Sequence, residues 1–511
     1  MTDATGERDE APSSERLSQA ARSGGAWAVV QSLLSKAVSV VGQVALAWFL
    51  VEDDFGIVAT AASVLALFLF FNPPLMADVL LQRKRRFAVD AAAAFWLTIA
   101  LAALTSLVFA CAAPFVAAYY ENPRLTGILL VTAVTPIAAA LQPVSLARLR
   151  IDLRLGAIAR WSIVMSVGTT VATVALAALG FGAYSIAIPT ALVGLVASYG
   201  FARRAGTLVG GALTREAEWK PMLRDYAAVC AGQYAHTLGL FADYLALSIF
   251  ATTEELGLYY FAFRMSAQIN ALFAYNVSLA LQPVLSHLSE APERQSLAFL
   301  KACRTIALPA IPLCLLQAAL AGPIVRLLFE ARWIPSIPML MILSVAQAFS
   351  ITTGPTQAML KAQSRFGTYT AWQSAQSAAF LPAVFLAAGL IGPMVHDATG
   401  LANARAVCVA IAVAIVFAIF CPLGLWIAVR KRGAGLGAVA RVFAPPLMIG
   451  VVLGGAALAI SSALPTTRLG AGLALALAGA ASIPIGLLGA RWLAPDELAA
   501  MRSMLRRRRA A

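Results

Sequence analysis

Charge is scarce in this chain. Only 12% of its 511 residues are Asp, Glu, Lys or Arg, against 60% that are hydrophobic. No soluble core can hide that much apolar surface, so a water-soluble fold is excluded and lipid must take part of the core's place. Histidine is scarce, at three residues, and the six cysteines (Cys111, Cys230, Cys303, Cys314, Cys408, Cys421) are scattered in or beside apolar runs with no CxxC. That excludes a disulfide framework and a metal site of His/Cys spacing; the cysteines read as small buried hydrophobes. There is no P-loop, no HExxH and no GxSxG, so no catalytic residue, cofactor or metal is expected. The longest polar stretch between apolar runs, residues 203–224, is too short for a nucleotide-binding domain. The first 24 residues carry no apolar core, so no cleavable signal peptide is expected.

What is present is a succession of long apolar runs. A spanning helix needs about 20 mostly apolar residues. Fourteen runs meet that length: 25–50, 56–81, 91–118, 126–147, 161–180, 183–201, 225–250, 258–288, 305–328, 337–360, 368–391, 401–429, 442–464 and 471–493. The fold class expected is an all-α integral membrane protein of about 14 transmembrane helices. The net charge of +14 does not point to nucleic acid, because the basic residues fall in short clusters between apolar runs and not on one folded face. Most of them lie in the N-tail, in alternate loops and in the C-tail, while Glu52, Asp53, Asp54, Glu121, Glu254, Glu255, Glu330 and Asp397 lie in the other turns. The positive-inside rule then puts both termini in the cytoplasm. The C-tail, ending Arg506-Arg-Arg-Arg509, is expected to lie against anionic lipids of the inner leaflet.

One phrase occurs twice. Phe49-Leu-Val-Glu-Asp-Asp-Phe-Gly56 is echoed by Phe250-Ala-Thr-Thr-Glu-Glu-Leu-Gly257, and Phe115-Val-Ala-Ala-Tyr-Tyr-Glu121 by Ile324-Val-Arg-Leu-Leu-Phe-Glu330. Two parallel copies of one unit are the simplest explanation. The expected plan is a cytoplasmic tail (1–24), an N-lobe of six helices (25–202), a basic loop (203–224) and a six-helix C-lobe (225–432). Two helices without a counterpart (433–493) and a basic cytoplasmic tail (494–511) follow.

Polar residues within spanning helices are costly, about 2.5–3.5 kcal/mol for a charge on insertion scales, so they mark an interior or a wet cavity. Lys36 lies near the middle of the first run, and Ser32, Lys36, Ser39 and Gln43 form one stripe at i, i+4, i+7 and i+11. The stripe faces the space between the lobes, or else Lys36 snorkels to the inner interface. In the seventh run Gln233, His236 and Asp243 share a face; the eighth carries Arg264, with Gln268 one turn on. Asp243 and Arg264 each lie seven residues from the acidic turn, at about 10 Å depth. They form either a structural ion pair or a site in which Arg264 binds phosphate or an acidic sugar and Asp243 tunes it or takes a coupling cation. His236 is a satisfied interior histidine or a proton relay. Asn72-Pro73-Pro74, Pro312, Pro323 and Pro355 mark kinks or breaks.

Several phrases, in this order and spacing, resemble the polysaccharide transporter (Wzx-type flippase) family of the multidrug/oligosaccharidyl-lipid/polysaccharide exporter superfamily. They are Gly-Gly-Ala-Trp27, Glu52-Asp-Asp-Phe-Gly56, Val79-Leu-Leu-Gln-Arg-Lys84 and Pro114-Phe-Val-Ala-Ala-Tyr-Tyr-Glu-Asn-Pro123 in the first half. Glu255-Leu-Gly-Leu-Tyr-Tyr260, Leu281-Gln-Pro-Val-Leu-Ser286 and Leu327-Leu-Phe-Glu-Ala-Arg-Trp333 follow. The resemblance implies a bacterial inner-membrane flippase that moves undecaprenyl-diphosphate-linked oligosaccharide (exopolysaccharide, capsule or O-antigen repeat unit) between leaflets by alternating access. It implies a cationic cavity between the lobes, where Lys36 and Arg264 occupy plausible places; the polar stripe and helix faces add Gln43, Gln268 and His236 as candidate substrate contacts. It also implies partners among polymerase and other polysaccharide-assembly proteins. The sequence departs from the family at Asn72-Pro-Pro-Leu-Met-Ala-Asp78, where a glycine-centred turn is common. A drug/cation antiporter of the same superfamily would share the fold but show more buried acids. A membrane-embedded glycosyltransferase or polymerase would need a larger outer loop.

Overall fold

The computed structural model describes residues 41–493 except 153, 207–218, 289–290, 364 and 431–434, together with residues 38 and 495. Every element among the described residues is helical. In the first half, residues 41–49 (α1) lead to α2 (Glu52–Phe68), α3 (Met76–Gln82), α4 (Phe87–Tyr119), α5 (Pro123–Thr132), α6 (Val134–Ala140), α7 (Pro143–Ile151), α8 (Leu155–Ala178) and α9 (Tyr184–Ala205). The second half holds α10 (Trp219–Phe250), α11 (Thr253–His287), α12 (Pro292–Ala319), α13 (Ala321–Leu328), α14 (Ile337–Ser350), α15 (Thr353–Ala362), α16 (Phe366–Leu386), α17 (Gly392–Thr399) and α18 (Ala404–Val429). Then come α19 (Leu436–Ser462), which packs along α12, and α20 (Arg468–Leu493), which packs on α19 and α13.

Among the described residues ten helices are long and apolar enough to cross a bilayer, eleven if the bent pair α2–α3 is one span. α10 and α11 have 32 and 35 residues, about 48 and 52 Å against a hydrocarbon core of about 30 Å, and differ from the rest in the polar residues they carry. The remaining expected run, 25–50, starts outside the described residues. The all-α multi-span architecture stands, and the breaks within it fall where proline removes a donor. α14 gives way to α15 just ahead of Pro355, and α12 to α13 just ahead of Pro323. Pro73 holds Asn72 extended (φ −84°, ψ 106°), so α2 ends at Phe68 and α3 leaves at 47°. The carbonyl of Leu67 freed by that break accepts the Tyr234 hydroxyl from α10, as a backbone group deprived of its helix partner must in a low-dielectric setting. Phe70 and Phe71 pack on Tyr234 and Tyr226 (ring centroids 5.3 and 5.8 Å). Arg83, beyond α3, pairs with Asp225 of α10 at 2.6 Å and with buried Asp90 at 3.6 Å.

The repeated acidic phrase has a physical explanation. In each half it is the first turn of a helix, and its last acid reaches a distant helix start. Asp54 Oδ1 accepts the Ala183 N–H ahead of α9 at 3.1 Å, and Glu255 Oε1 accepts the Ala406 N–H of α18 at 2.8 Å. A carboxylate at a helix N-terminus satisfies an orphan donor and meets the positive end of the dipole. The glycines then let α2 and α11 cross against each other. A Cβ on Gly56 would overlap the Thr253 carbonyl, and one on Gly257 the Glu52 carbonyl. The contact is reciprocal, as across a two-fold axis.

A second repeated feature, once in each half, sits in the α8–α9 and α16–α18 packings. Trp161 lies on Gly200 and donates its Nε1–H to the Ala197 carbonyl (3.1 Å); Trp372 lies on Gly424 and donates to Phe420 (3.2 Å). Arg154 and Arg365, each ahead of the tryptophan's helix, donate to the Arg204 and Ile427 carbonyls. The sequence carries this echo as Arg-x-Gly-x4-Trp at 154–161 and 365–372.

Candidate functional site

The crossing of α2 and α11 is roofed by aromatic rings at the acidic end of the molecule. Phe55 meets Tyr260 (6.1 Å) and, edge-on, Trp333 (5.3 Å); Phe261 lies 4.3 Å from Trp333 and 4.9 Å from Phe329. Trp333 is wholly buried. Its Nε1–H donates to the Ala47 carbonyl at the end of α1 (3.0 Å), while Trp48 donates to the Leu328 carbonyl (2.7 Å). α1 is thereby fastened to the segment after α13, a contact between the two halves of the chain.

Arg264 lies one helical turn below this roof. It donates from Nη1 to the Tyr260 hydroxyl at 3.1 Å, with its guanidinium 5.5 Å from that ring. Among the described residues no carboxylate pairs with it, and that corrects one of the two alternatives for these residues, the structural Asp243–Arg264 ion pair. Asp243 instead accepts from the Tyr259 hydroxyl (2.8 Å) and the Tyr244 N–H (2.9 Å), fully buried. The reason is register. α11 begins at Thr253 and not after Gly257, so Arg264 is about 16 Å along the helix, a full turn deeper than Asp243's true neighbours. Thr252 Oγ1 accepting the Glu255 N–H (3.2 Å) marks that start, a Thr-x-x-Glu capping pattern.

Gln43 sits one turn below Ala47, as Arg264 sits one turn below Tyr260. It is 1% exposed, and neither atom of its amide has a hydrogen-bond partner among the described residues. A buried amide in that condition is poised for a ligand or water. Gln268 is half-buried one turn beyond Arg264. Lys36, with Ser32 and Ser39, and the side chain of His236 lie outside the described residues. The sequence does not single out Tyr260, Phe55 or Trp333 as site-forming. The i, i+4 spacing of Tyr260 and Arg264 is the signal that pairs them.

A family model described as "Polysaccharide biosynthesis protein" matches residues 45–338, more than half of the chain. The chain belongs to that family. Its fold is shared with the solved structure "Lipid II flippase MurJ, inward closed conformation", at TM-score 0.68 and 13% identity over 91% of this chain and 98% of that one. It is also similar to an inward-facing multidrug resistance MATE family transporter of the MOP superfamily (TM-score 0.53, 15% identity, 80% and 96% covered). A point mutant of the Vibrio cholerae MATE transporter VcmN gives 0.54 at 13% identity, with 82% and 98% covered. No curated protein matches the chain by sequence. The multi-span helical fold is therefore one that the chain shares with a solved flippase and solved transporters.

Proposed function

We propose that the chain is a flippase that carries an oligosaccharide, linked through diphosphate to a polyprenyl lipid, from the inner to the outer leaflet of a bacterial inner membrane. The observation that supports this most is Arg264, a guanidinium under the aromatic roof with no carboxylate among the described residues to neutralise it. Arg264 is half-buried, and an uncompensated cation inside an apolar bundle is costly, while a diphosphate offers the planar fork two acceptors. Gln43, unpartnered among the described residues at matching depth, supplies an amide for the same headgroup, and Gln268 extends the polar path one turn beyond Arg264; Lys36, the cation of the sequence stripe, is proposed as a second partner for the diphosphate. In this reading residues 25–202 and 225–432 are the two lobes, the acidic turns face outward and both termini face the cytoplasm. The closed roof is then a state shut toward the outside. The lipid tail stays in the bilayer, and the C-tail lies on anionic inner-leaflet lipids. Polymerase and other assembly proteins receive the product.

A drug/cation antiporter has less support. Asp243, the buried acid it would use, already has both oxygens engaged by Tyr259 and Tyr244. The deciding experiment is Arg264→Ala, read by binding of farnesyl diphosphate to the purified protein and by surface polysaccharide in cells. Loss of a charge-assisted contact of about 1.5–3 kcal/mol weakens binding roughly 10- to 100-fold, and Arg264→Lys lies between. Undiminished binding and export in Arg264→Ala would remove the headgroup assignment.

A further inference from the structure

The two halves of the chain meet at the acidic end along two seams, and only one of them is filled. The register of the two sequence echoes sets Thr60 against Phe261, Tyr120 against Phe329, Arg124 against Trp333 and Ser248 against Ala47. Phe261, Phe329 and Trp333 fill the first seam. In the second, a threonine and a tyrosine replace the two phenylalanines and an exposed arginine replaces the buried tryptophan. What remains is a cavity of about 240 Å³ lined by Thr60, Tyr120, Asn122, Ser248, Thr252 and Thr253 with four aliphatic side chains between them.

We propose that this cavity binds one neutral sugar ring. Its hydrogen-bonding groups are uncommitted in a specific way. Ser248 Oγ donates to the Leu245 carbonyl (2.9 Å), so the Tyr120 hydroxyl, 2.9 Å away, donates to Ser248 and keeps an acceptor lone pair. Thr60 Oγ1 donates to the Gly56 carbonyl (3.0 Å) and likewise keeps its acceptor side. Asn122 spends its Oδ1 on the Arg124 N–H (3.1 Å), leaving two amide donors; Thr252 Oγ1 accepts from Glu255, leaving its O–H. Interleaved donors and acceptors beside a tyrosine ring, Leu125 and Leu256 suit vicinal hydroxyls on an apolar-faced ring. None of the lining side chains is charged, so neither an anion nor a metal ion finds a counter-charge. The volume lies just below the range of about 300–1,000 Å³ typical of drug-sized ligands, which limits the occupant to a single ring. The inference rests on the flippase reading in one respect: the cavity sits at the end where the saccharide would leave.

The test fills the hollow seam with its sister's residues. The full-length protein in detergent is presented with the neutral methyl glycosides of glucose, galactose, mannose and N-acetylglucosamine. Glucuronate is the anionic control, and binding is read by saturation-transfer NMR at about millimolar concentration. At least one neutral glycoside should bind, glucuronate should not, and Thr60→Phe with Arg124→Trp should lower the signal at least about tenfold. Tyr120→Phe, a milder change that keeps the shape, should lower it about three- to tenfold even if the double variant does not fold. Farnesyl diphosphate binding should be unchanged in these variants, and Arg264→Ala should show the reverse pattern. The assignment fails if no neutral glycoside binds the unaltered protein, if glucuronate binds as well, or if Tyr120→Phe leaves the signal intact. Loss of diphosphate binding only in Arg264→Ala would then leave the flippase reading standing.

Discussion

The filled and hollow seams occupy matching places in the two halves, yet one is closed like a protein core and the other leaves a cavity bridged by the Tyr120–Ser248 hydroxyl pair. In the first, Trp333 is buried among Phe55, Phe261 and Phe329 and ties down α1 through Ala47. In the second, Tyr120 and Ser248 meet across a polar space. Quasi-symmetry thus fixes where the halves touch and leaves open how strongly. Under the proposed alternating access, the weaker seam is the one able to part at small cost.

The sharpest way to break this comparison is Trp333→Ala. Deleting a buried indole should cost about 3–5 kcal/mol, read as thermal unfolding in a defined micelle, whereas Arg124→Ala at the matching position should stay within about 0.5 kcal/mol. Equal effects would mean that the seams are energetically alike. Next come the reciprocal glycines. Gly56→Ala and Gly257→Ala each drive a Cβ into a carbonyl of the other helix, and overpacking of that kind costs about 1–3 kcal/mol. Because the two sites share one crossing, the double variant should cost less than the sum. Strict additivity would show that the crossing is not a single contact.

The helix-capping acids offer a finer contrast. Glu255 is buried where Asp54 is half-exposed. Glu255→Ala should therefore cost more, toward about 2 kcal/mol, and Asp54→Ala nearer about 1. A larger loss at Asp54 would show that burial does not set the strength of these caps.

These elements differ in how far the sequence disclosed them. Apolar runs are local and need only counting, so the helical spans were legible, as was the acidic echo from Phe49 to Gly56 and from Phe250 to Gly257. Its cause was not. Asp54 and Glu255 act on helix starts more than a hundred residues away, and no local pattern announces a distant N–H. The Asp243–Arg264 pairing failed by one turn because helix start was judged from hydropathy, which rises only after Gly257. The Thr252-x-x-Glu255 cap was the better guide to it. Arg264 and Gln43 stood out because a polar group in an apolar helix demands a partner. Tyr260, Phe55 and Trp333 did not, since aromatic residues are at home in such a helix whether or not they build a roof.

The smallest effect tests the hollow seam from the other side. Tyr120→Phe removes the hydroxyl that bridges to Ser248 while keeping the ring. Ser248 still donates to the Leu245 carbonyl, and its freed acceptor faces a cavity that admits water, so no buried group is stranded. The net loss should be below about 1 kcal/mol. Trp333→Phe performs the parallel deletion in the filled seam. There the Ala47 carbonyl loses its donor in a site closed to solvent, and the cost should exceed that of Tyr120→Phe by about 1–3 kcal/mol. Thermal unfolding of the two variants side by side measures that gap. Were Tyr120→Phe to unfold as readily as Trp333→Phe, the hollow seam would be bearing as much of the closure as the filled one, and the weaker partner in the comparison would have to be sought elsewhere.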